Sequence, residues 1–206
     1  MELLNNYEVQ IKDLCKSYEN HKVLHNFSMN FIKNKITVIT GPSGCGKTTL
    51  LNIIGSIEKE YSGQVISPNN SISYIFQEDR LLPHLTVYEN IAFVLKSTMS
   101  KEDMNTIINK YLNMVKLSEY KHKLPNKLSG GMKRRVAIAR AFAYKSRLLL
   151  MDEPFKGLDD KLKMEIIDEF LKLHKEDKRT VILVTHDMKE AELLGDIIYS
   201  MPSLNK

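Results

Sequence analysis

One stretch, G-P-S-G-C-G-K-T at residues 41–48, constrains the fold of this 206-residue chain more than any other. It matches the pattern G-x-x-x-x-G-K-[ST], in which glycines let backbone N–H groups curl around phosphate oxygens. The β-branched run before it, residues 36–40, predicts a strand, and we expect a helix from about Lys47 to Ile57. A strand, this loop and a helix in that order predict a nucleotide site at the edge of a parallel α/β sheet.

The loop and the residue after it supply the candidate nucleotide contacts. Backbone N–H groups from about Gly44 to Thr49 are expected to point at phosphate oxygens, and Lys47 can reach the β- and γ-phosphates. The hydroxyl of Thr48 can bind Mg²⁺. The full set is Gly41, Pro42, Ser43, Gly44, Cys45, Gly46, Lys47, Thr48 and Thr49.

An acidic pair follows a second apolar run. The stretch R-L-L-L-M-D-E-P, residues 147–154, predicts a buried strand with Asp152 at its carboxyl end, beside the phosphate loop in a parallel sheet. Asp152 is a candidate Mg²⁺ ligand, directly or through water. Glu153 is a candidate base for a water that attacks the γ-phosphate. Such a pair alone could be a helix cap or a turn, but the phosphate loop favours the catalytic interpretation.

Three more residues acquire a meaning only beside a phosphate site. Gln77 ends a predicted strand and could hold the attacking water or Mg²⁺, and His186 ends another and could contact the γ-phosphate. Tyr18 could stack on adenine. Taken singly, each has an ordinary alternative: Gln77 as a loop residue, His186 as satisfied structure and Tyr18 as core.

The remaining pattern describes one α/β body with a helical interruption. Strands predicted at 148–151, 180–185 and 197–200 alternate with helices near 159–174 and 188–194, which favours a parallel sheet with helices on both faces. The first forty residues look like strands, with a tight turn at Asn34-Lys35. Segment 79–144 is helical in pattern: it contains the capping-box pair Thr86 and Glu89, an amphipathic stretch at 102–117 and a helix from about Gly131 to Tyr144.

Composition excludes several classes of protein. No apolar run approaches the roughly 18 residues that span a bilayer, and the first residues lack the features of a secretion signal. The two cysteines, Cys15 and Cys45, do not make a disulfide framework. The net charge of +5 is dispersed. The one basic cluster near a motif, at 133–135, is interpreted as a solvated helix face, with contact to nucleic acid or acidic lipid as the alternative, and no nucleic-acid partner is expected.

A pair of adjacent glycines, Gly130 and Gly131, marks a second candidate anion-binding turn. Residues 127–132 read K-L-S-G-G-M, and a helical stretch follows directly. A Ser-Gly-Gly turn at the start of a helix leaves backbone N–H groups available for an anion. One chain therefore carries two candidate phosphate-binding turns.

These residues together resemble the ATP-binding cassette ATPases, the motor subunits of ABC transporters, over essentially the whole chain. L-S-G-G about twenty residues ahead of the Asp-Glu pair is specific to that family. The resemblance rests on Tyr18, G-P-S-G-C-G-K-T-T, Gln77, L-S-G-G-M (128–132), L-L-L-M-D-E-P, G-L-D (157–159) and T-H-D (185–187).

The resemblance implies a P-loop NTPase fold: a RecA-like parallel sheet with flanking helices, an N-terminal antiparallel β subdomain and an inserted helical subdomain. It implies one domain over 1–206, with the nucleotide-binding core at 1–78 and 145–206 and the helical subdomain at 79–144. The cofactors it implies are ATP and Mg²⁺. Gln77 is implied both as a metal ligand and, with Glu153 and His186, in catalysis.

The same resemblance explains the two turns. Two cassettes pack head to tail, and Ser129, Gly130 and Gly131 of one contact the γ-phosphate of the ATP held by the other. The implied partners are a second cassette, identical or not, and integral-membrane permease subunits; an extracytoplasmic substrate-binding protein is a further candidate. The implied location is the cytoplasmic side of the cell membrane, held there by the permease.

Residues 76–91 resemble the region that faces the membrane partner in bacterial importers, notably those for nitrate, sulfonate and taurine. Leu81, Leu82, Pro83 and Leu85 are candidates for that contact, with ordinary packing as the alternative.

Departures from the family pattern are Met132 for the usual Gln, Lys156-Gly157 for Ser-Ala and Asn34-Lys35 for Gly-Glu. Many relatives continue beyond the position of Lys206, so no C-terminal regulatory domain is expected in this sequence.

Two alternatives stay open at this point. One is an ABC-type ATPase that does not transport, such as a DNA-repair or ribosome-associated protein, which usually carries a long coiled-coil insertion or tandem cassettes. The other is a small-molecule kinase, which has no use for L-S-G-G or for His186.

Overall fold

A computed structural model describes residues 6–19, 21–68 and 71–202. The expectations for the first residues and for Lys206 lie outside these ranges. The chain forms two compact units: the first is Met1–Tyr74, Ser146–Glu153 and Asp177–Lys206, and the second is Ile75–Lys145 and Pro154–Glu176. The segment predicted as a helical interruption thus lies within a second unit that also includes residues 154–176.

Two sheets build the first unit. Their strands are β1 (Tyr7–Tyr18), β2 (His21–Ile32), β3 (Ile36–Thr40), β4 (Ser62–Ile66), β5 (Ile72–Ile75), β6 (Leu148–Asp152), β7 (Thr180–Val184) and β8 (Ile197–Ser200). The small antiparallel sheet has the order β2-β1-β4, and the larger sheet has the order β5-β6-β7-β3-β8, with parallel pairing of β6 with β7, β7 with β3 and β3 with β8. This confirms the predicted fold class.

The central strands of the larger sheet are apolar because both of their faces are covered. Every residue of β3, β6 and β7 is buried, as expected for a parallel sheet with helices on both faces. Helix α1 (Lys47–Ile54) contributes Leu50, Leu51, Ile53 and Ile54 to this core. It ends three residues earlier than predicted, since Gly55 caps it with its N–H donating to the Leu51 carbonyl.

The second unit consists mainly of helices: α2 (Val87–Leu95), α3 (Lys101–Met114), α4 (Gly130–Ala143) and α5 (Asp160–Asp177). The capping box of Thr86 and Glu89 is present and fixes the start of α2. Phe142 of α4 stacks on Phe170 of α5 with ring centroids 5.0 Å apart. The short helix α6 (Met188–Leu194) belongs to the first unit.

The conformation of Asn34 and the burial of Arg134 bear on two expectations from the sequence. Asn34 adopts a φ of +61°, which confirms the predicted turn. The interpretation of residues 133–135 as a solvated face is wrong for Arg134, whose exposed fraction is 4%, because its guanidinium turns inward to backbone carbonyls. Within the described residues, none of the helices combines the length and the apolar character needed to cross a membrane.

Candidate nucleotide-binding site

The carboxyl ends of three parallel strands bring the predicted residues of the first unit to one edge of the sheet. Strand β7 lies between β6 and β3, and Val184 is in register with both Asp152 and Ile39. The three strands therefore end at the same level. Residues that directly follow these strands share an edge, as a ligand site in an open α/β sheet requires.

The phosphate loop leaves β3 and enters α1 at Lys47. Gly44 and Gly46 adopt φ values of +79° and +99°, a conformation that side chains with a Cβ rarely take. Cys45, Gly46 and Lys47 are buried, Thr49 and Gly41 are intermediate, and Pro42, Ser43, Gly44 and Thr48 are exposed. The tip of the loop and Thr48 are thus exposed, while the base of the loop packs into the unit.

Lys47 folds back into its own loop. Its Nζ donates to the carbonyl oxygens of Gly41, at 2.8 Å, and Pro42, at 2.7 Å, and lies 3.7 Å from Cys45 Sγ. The side chain is only 8% exposed. A buried ammonium group needs such acceptors, so the loop fixes a positive charge at its centre.

Asp152 and Glu153 are adjacent but differ in their backbone conformation and their surroundings. Asp152 is 2% exposed at the end of β6. Glu153 leaves the strand with a φ of +45°, and its N–H donates to the Val184 carbonyl at 2.9 Å. A left-handed residue with a side chain costs about 1–2 kcal/mol, and strain of this kind clusters at functional sites.

The structure brings Glu153 to His186. Glu153 Oε1 lies 3.0 Å from His186 Nδ1, and the side chains are 16% and 65% exposed, respectively. A mostly buried carboxylate next to an exposed imidazole can accept a proton, while the imidazole ring orients the carboxylate. The two residues lie 33 positions apart in the chain, so only the strand order brings them together.

A group of hydrogen bonds that sequence reasoning missed involves the two neighbours of His186 in the chain. Thr185 Oγ1 donates to Glu190 Oε2 at 2.8 Å and accepts from the Asp187 N–H at 3.1 Å. Asp187 in turn caps α6 through the N–H groups of Lys189 and Glu190. Glu190 is 7% exposed and is buried together with Ala191 and Leu194 of α6. Its spacing from these two apolar residues is a signal that the sequence contains.

Tyr18 lies on the antiparallel sheet and is 45% exposed, so the alternative that it belongs to the core is wrong. Its hydroxyl donates to Glu58 Oε2 at 3.0 Å, and Lys16 Nζ lies 4.6 Å from the ring centroid and 3.1 Å from the same carboxylate. The pKa of Glu58 is lowered, first by the Glu60 N–H and then by Lys16. The aromatic ring is therefore held by an ionised carboxylate and a cation.

The other predicted contacts lie in the second unit. Ser129 caps α4, with its Oγ accepting from the Met132 N–H at 3.3 Å. Gly130 and Gly131 form the first positions of the helix, where N–H groups have no intrahelical acceptor. Gln77 is exposed and its carbonyl accepts from Arg134 at 3.3 Å. The structure thus groups the phosphate loop, Asp152, Glu153, His186 and Tyr18 in one unit, and Gln77 and the Ser-Gly-Gly turn in the other.

Comparison with known proteins decides the family. The sequence profile of the ABC transporter family matches residues 24–156. This chain belongs to the ABC transporter family. The match includes the phosphate loop, the Ser-Gly-Gly turn and the Asp-Glu pair, and it removes the kinase alternative.

Curated relatives resemble this ABC cassette along nearly all of its length. The spermidine/putrescine import ATP-binding protein PotA of Thermotoga maritima is 43% identical over 205 residues, which cover 94% of this chain and 56% of the relative. The sulfate/thiosulfate import ATP-binding protein CysA of Mannheimia succiniciproducens is 36% identical and covers 94% of this chain and 58% of the relative. The cassette therefore spans little more than half the length of these relatives. The likeness to nitrate, sulfonate and taurine ATPases stays a prediction.

Solved structures give the same family. The dimeric structure of MJ0796, a bacterial ABC transporter cassette, superposes with a TM-score of 0.86 at 32% identity over 95% of this chain and 94% of that one. A second dimeric structure of MJ0796, in a post-hydrolysis state with ADP and Pi bound, gives a TM-score of 0.85 at 33% identity, covering 96% of this chain and 97% of that one.

Proposed function

We propose that this ABC cassette is the ATP-hydrolysing subunit of an import-type ABC transporter, working as a head-to-tail dimer coupled to a membrane permease. The observation that carries the proposal is the Glu153–His186 pair at the sheet edge shared with the phosphate loop. The names of the relatives, which are import ATP-binding proteins, favour transport over the DNA-repair or ribosome alternative.

The residues present fit Mg²⁺ and a nucleoside triphosphate. Mg²⁺ prefers a few hard oxygen ligands and keeps several waters. The hydroxyl of the exposed residue Thr48 and the carboxylate of Asp152, both in the first unit, are such ligands. The amide oxygen of Gln77 is a third candidate, which rests on the family resemblance alone. When bound, Mg²⁺ neutralises charge on the β- and γ-phosphates. The loop N–H groups and Lys47 hold those phosphates, and the Tyr18 ring stacks on adenine.

Glu153 is the proposed base for ATP hydrolysis. Its carboxylate accepts a proton from a water molecule, whose oxygen forms a bond to the γ-phosphorus as the bond to the β–γ bridging oxygen breaks. ADP and inorganic phosphate are the products. His186 keeps the carboxylate oriented through Nδ1 and presents its exposed edge to the γ-phosphate. In the dimer, Ser129, Gly130 and Gly131 of the second cassette bind that same phosphate, so that ATP joins the two bodies.

The permease contact is assigned to the loop after Gln77. Leu81, Leu82 and Leu85 are half-buried and Pro83 is exposed, so the loop offers apolar surface. Asn90, with no exposed surface, fixes its shape: Oδ1 accepts from the Leu82 N–H at 2.8 Å, and Nδ2 donates to the carbonyls of Leu82, Leu85 and Thr86. This contact would hold the cassette at the cytoplasmic side of the membrane, and an extracytoplasmic substrate-binding protein remains a further candidate partner.

The test is Glu153→Gln, which keeps the shape of the side chain and removes the base. We expect ATP binding to persist and hydrolysis to fall by about 10²–10⁴-fold, with an ATP-dependent dimer accumulating in size-exclusion chromatography with light scattering. Glu192→Gln, which removes an exposed carboxylate from α6, is the matched control and should hydrolyse ATP normally.

A second substitution tests the dimer contact independently of the catalytic base. Adding Ser129→Arg to the Glu153→Gln chain should abolish the ATP-dependent dimer and leave ATP binding intact. Rapid turnover by a monomeric Glu153→Gln chain would contradict the role of Glu153, and a dimer that survives Ser129→Arg would contradict the head-to-tail arrangement.

A further inference from the structure

A buried arginine joins three segments of the second unit. Arg134, on the first turns of α4, donates from Nε to the Pro154 carbonyl at 2.7 Å. Its Nη1 donates to the Phe76 carbonyl and, at 3.3 Å, to the Gln77 carbonyl, and lies 3.5 Å from Asp79 Oδ1. One side chain therefore contacts the glutamine loop (residues 76–80) and the residue that directly follows Glu153.

Arg140, on the same helix, holds the other end of the glutamine loop. Its Nη1 donates to the Arg80 carbonyl at 3.0 Å and its Nη2 to the Asp79 carbonyl at 3.1 Å. Six residues of helix rise about 9 Å, so the loop runs along α4 between the two guanidinium groups. The Arg80 guanidinium carbon lies 3.9 Å from the Phe76 ring centroid, which joins the two ends of the loop.

The several acceptors around position 134 suit an arginine side chain. A planar guanidinium presents five donors in a fixed fork and can serve several carbonyl acceptors at once, whereas a lysine ammonium is a compact point charge. Burying a charged group is costly unless hydrogen bonds compensate it. The side chain of Arg134 is 5% exposed and that of Asp79 is 25% exposed. Backbone carbonyls of Phe76, Gln77 and Pro154 accept hydrogen bonds from the buried guanidinium and compensate its charge.

We propose that Arg134 is a positioning residue that fixes the glutamine loop and Pro154 to the helix begun by the Ser-Gly-Gly turn, so that the three segments move as one body. The functional meaning of Gln77 and Ser129 rests on the function proposed above; the contacts themselves do not. A displacement of the Ser-Gly-Gly turn, five residues before Arg134, would then carry Gln77 with it. Residues 81–85 follow the loop directly, so the same displacement would reach the apolar surface assigned to the permease.

The first test uses trypsin on the full chain without nucleotide, measuring cleavage of the Arg80–Leu81 bond by mass spectrometry. Cleavage of a transiently opened segment follows the population of the open form. Loss of hydrogen bonds from a charged group should raise the cleavage rate by about tenfold to a hundredfold in Arg134→Gln. Arg134→Lys keeps the charge but cannot reach all the acceptors, so it should raise the cleavage rate less. If Arg134→Gln does not fold, the cleavage rate of Arg134→Lys alone tests the proposal.

Arg135→Gln is the matched control. Arg135 neighbours Arg134 on α4, but its Nη1 donates to the carbonyls of Val115 and Lys116 rather than to the glutamine loop. Its loss should leave the cleavage rate at Arg80 unchanged. An unchanged rate in both Arg134 variants, or an equal rise in Arg135→Gln, overturns the proposal.

The second test measures ATP hydrolysis. Arg134→Gln should lower kcat about tenfold or more with little change in KM for ATP, because the phosphate loop is intact and only the positioning of Gln77 and of the segment after Glu153 is lost. A fall in kcat of the same size in Arg135→Gln would overturn the positioning role. If the unmodified chain hydrolyses no ATP, the proposed function fails, and the cleavage result still decides whether Arg134 holds the loop.

Discussion

Replacing Gly46 by alanine tests how tightly the phosphate loop is built into the first unit. Gly46 precedes α1 with a φ of +99°, and a Cβ there would lie 2.9 Å from both Val23 Cγ1 and the Val23 carbonyl oxygen. Gly44 has a φ of +79°, but a Cβ added to it meets nothing within 4 Å. The two substitutions therefore share the conformational cost and differ in the steric one.

The magnitudes follow from these two terms. A left-handed alanine costs about 1–2 kcal/mol, which is the whole effect expected for Gly44→Ala on the free energy of unfolding. Forcing a methyl group against packed backbone adds about 1–3 kcal/mol, so Gly46→Ala should lose about 2–5 kcal/mol. Because a backbone oxygen cannot rotate away, α1 and Lys47 must shift, and nucleotide affinity should fall as well.

The assay is urea unfolding of both variants and the unmodified chain, followed by far-UV circular dichroism, with ATP affinity measured in parallel. Equal slopes against urea would show that the variants differ in stability and not in the amount of surface exposed on unfolding. If Gly46→Ala proves as stable as Gly44→Ala, the packing of the loop against Val23 does not constrain it, and the steric argument is refuted.

Three further predictions concern other sites. Asn90→Ala should lower the free energy of unfolding by about 2–4 kcal/mol in urea titrations, since buried backbone groups around Leu82 lose their partner; an unchanged midpoint would contradict this. The pKa of Glu58 lies below its ordinary value of 4.5, first because of the Glu60 N–H and then because of Lys16, so its carboxylate stabilises the fold above that value. Glu58→Gln should accordingly lower the thermal midpoint at pH 7, and the difference should disappear as the pH falls through the lowered pKa; a difference independent of pH would speak against it. Cys45 is 5% exposed, whereas Cys15 is partly accessible, so a thiol reagent should modify Cys15 faster, and ATP should slow only the reaction of Cys45, as followed by mass spectrometry.

Local chemistry made much of the fold predictable. The apolar runs at 36–40, 148–151 and 180–185 became buried strands, and the pair Thr86 and Glu89 became a capping box. Each of these signals acts over a few residues, through side-chain alternation or a hydrogen bond across one helical turn. Such interactions are encoded within the segment that uses them.

The sequence alone does not predict the roles of residues whose partners are distant in the chain. The basic residues at 133–135 looked like a solvated face, yet Arg134 lies buried against carbonyls more than fifty positions earlier in the chain. Its charge and its helical position are the same in both interpretations. No pattern in the sequence indicates which side of α4 faces the glutamine loop.

The sequence by itself determined the two candidate phosphate-binding turns, the acidic pair and the strands that precede them, because glycine conformation, metal-ligand chemistry and hydrophobic periodicity are properties of short segments. Only the tertiary structure decided that Glu153 meets His186, that Glu190 supports Thr185 behind it, and that Arg134 holds the glutamine loop. Strand order and helix packing bring these partners together, and both depend on the free energy of the whole folded chain rather than on any one stretch of it.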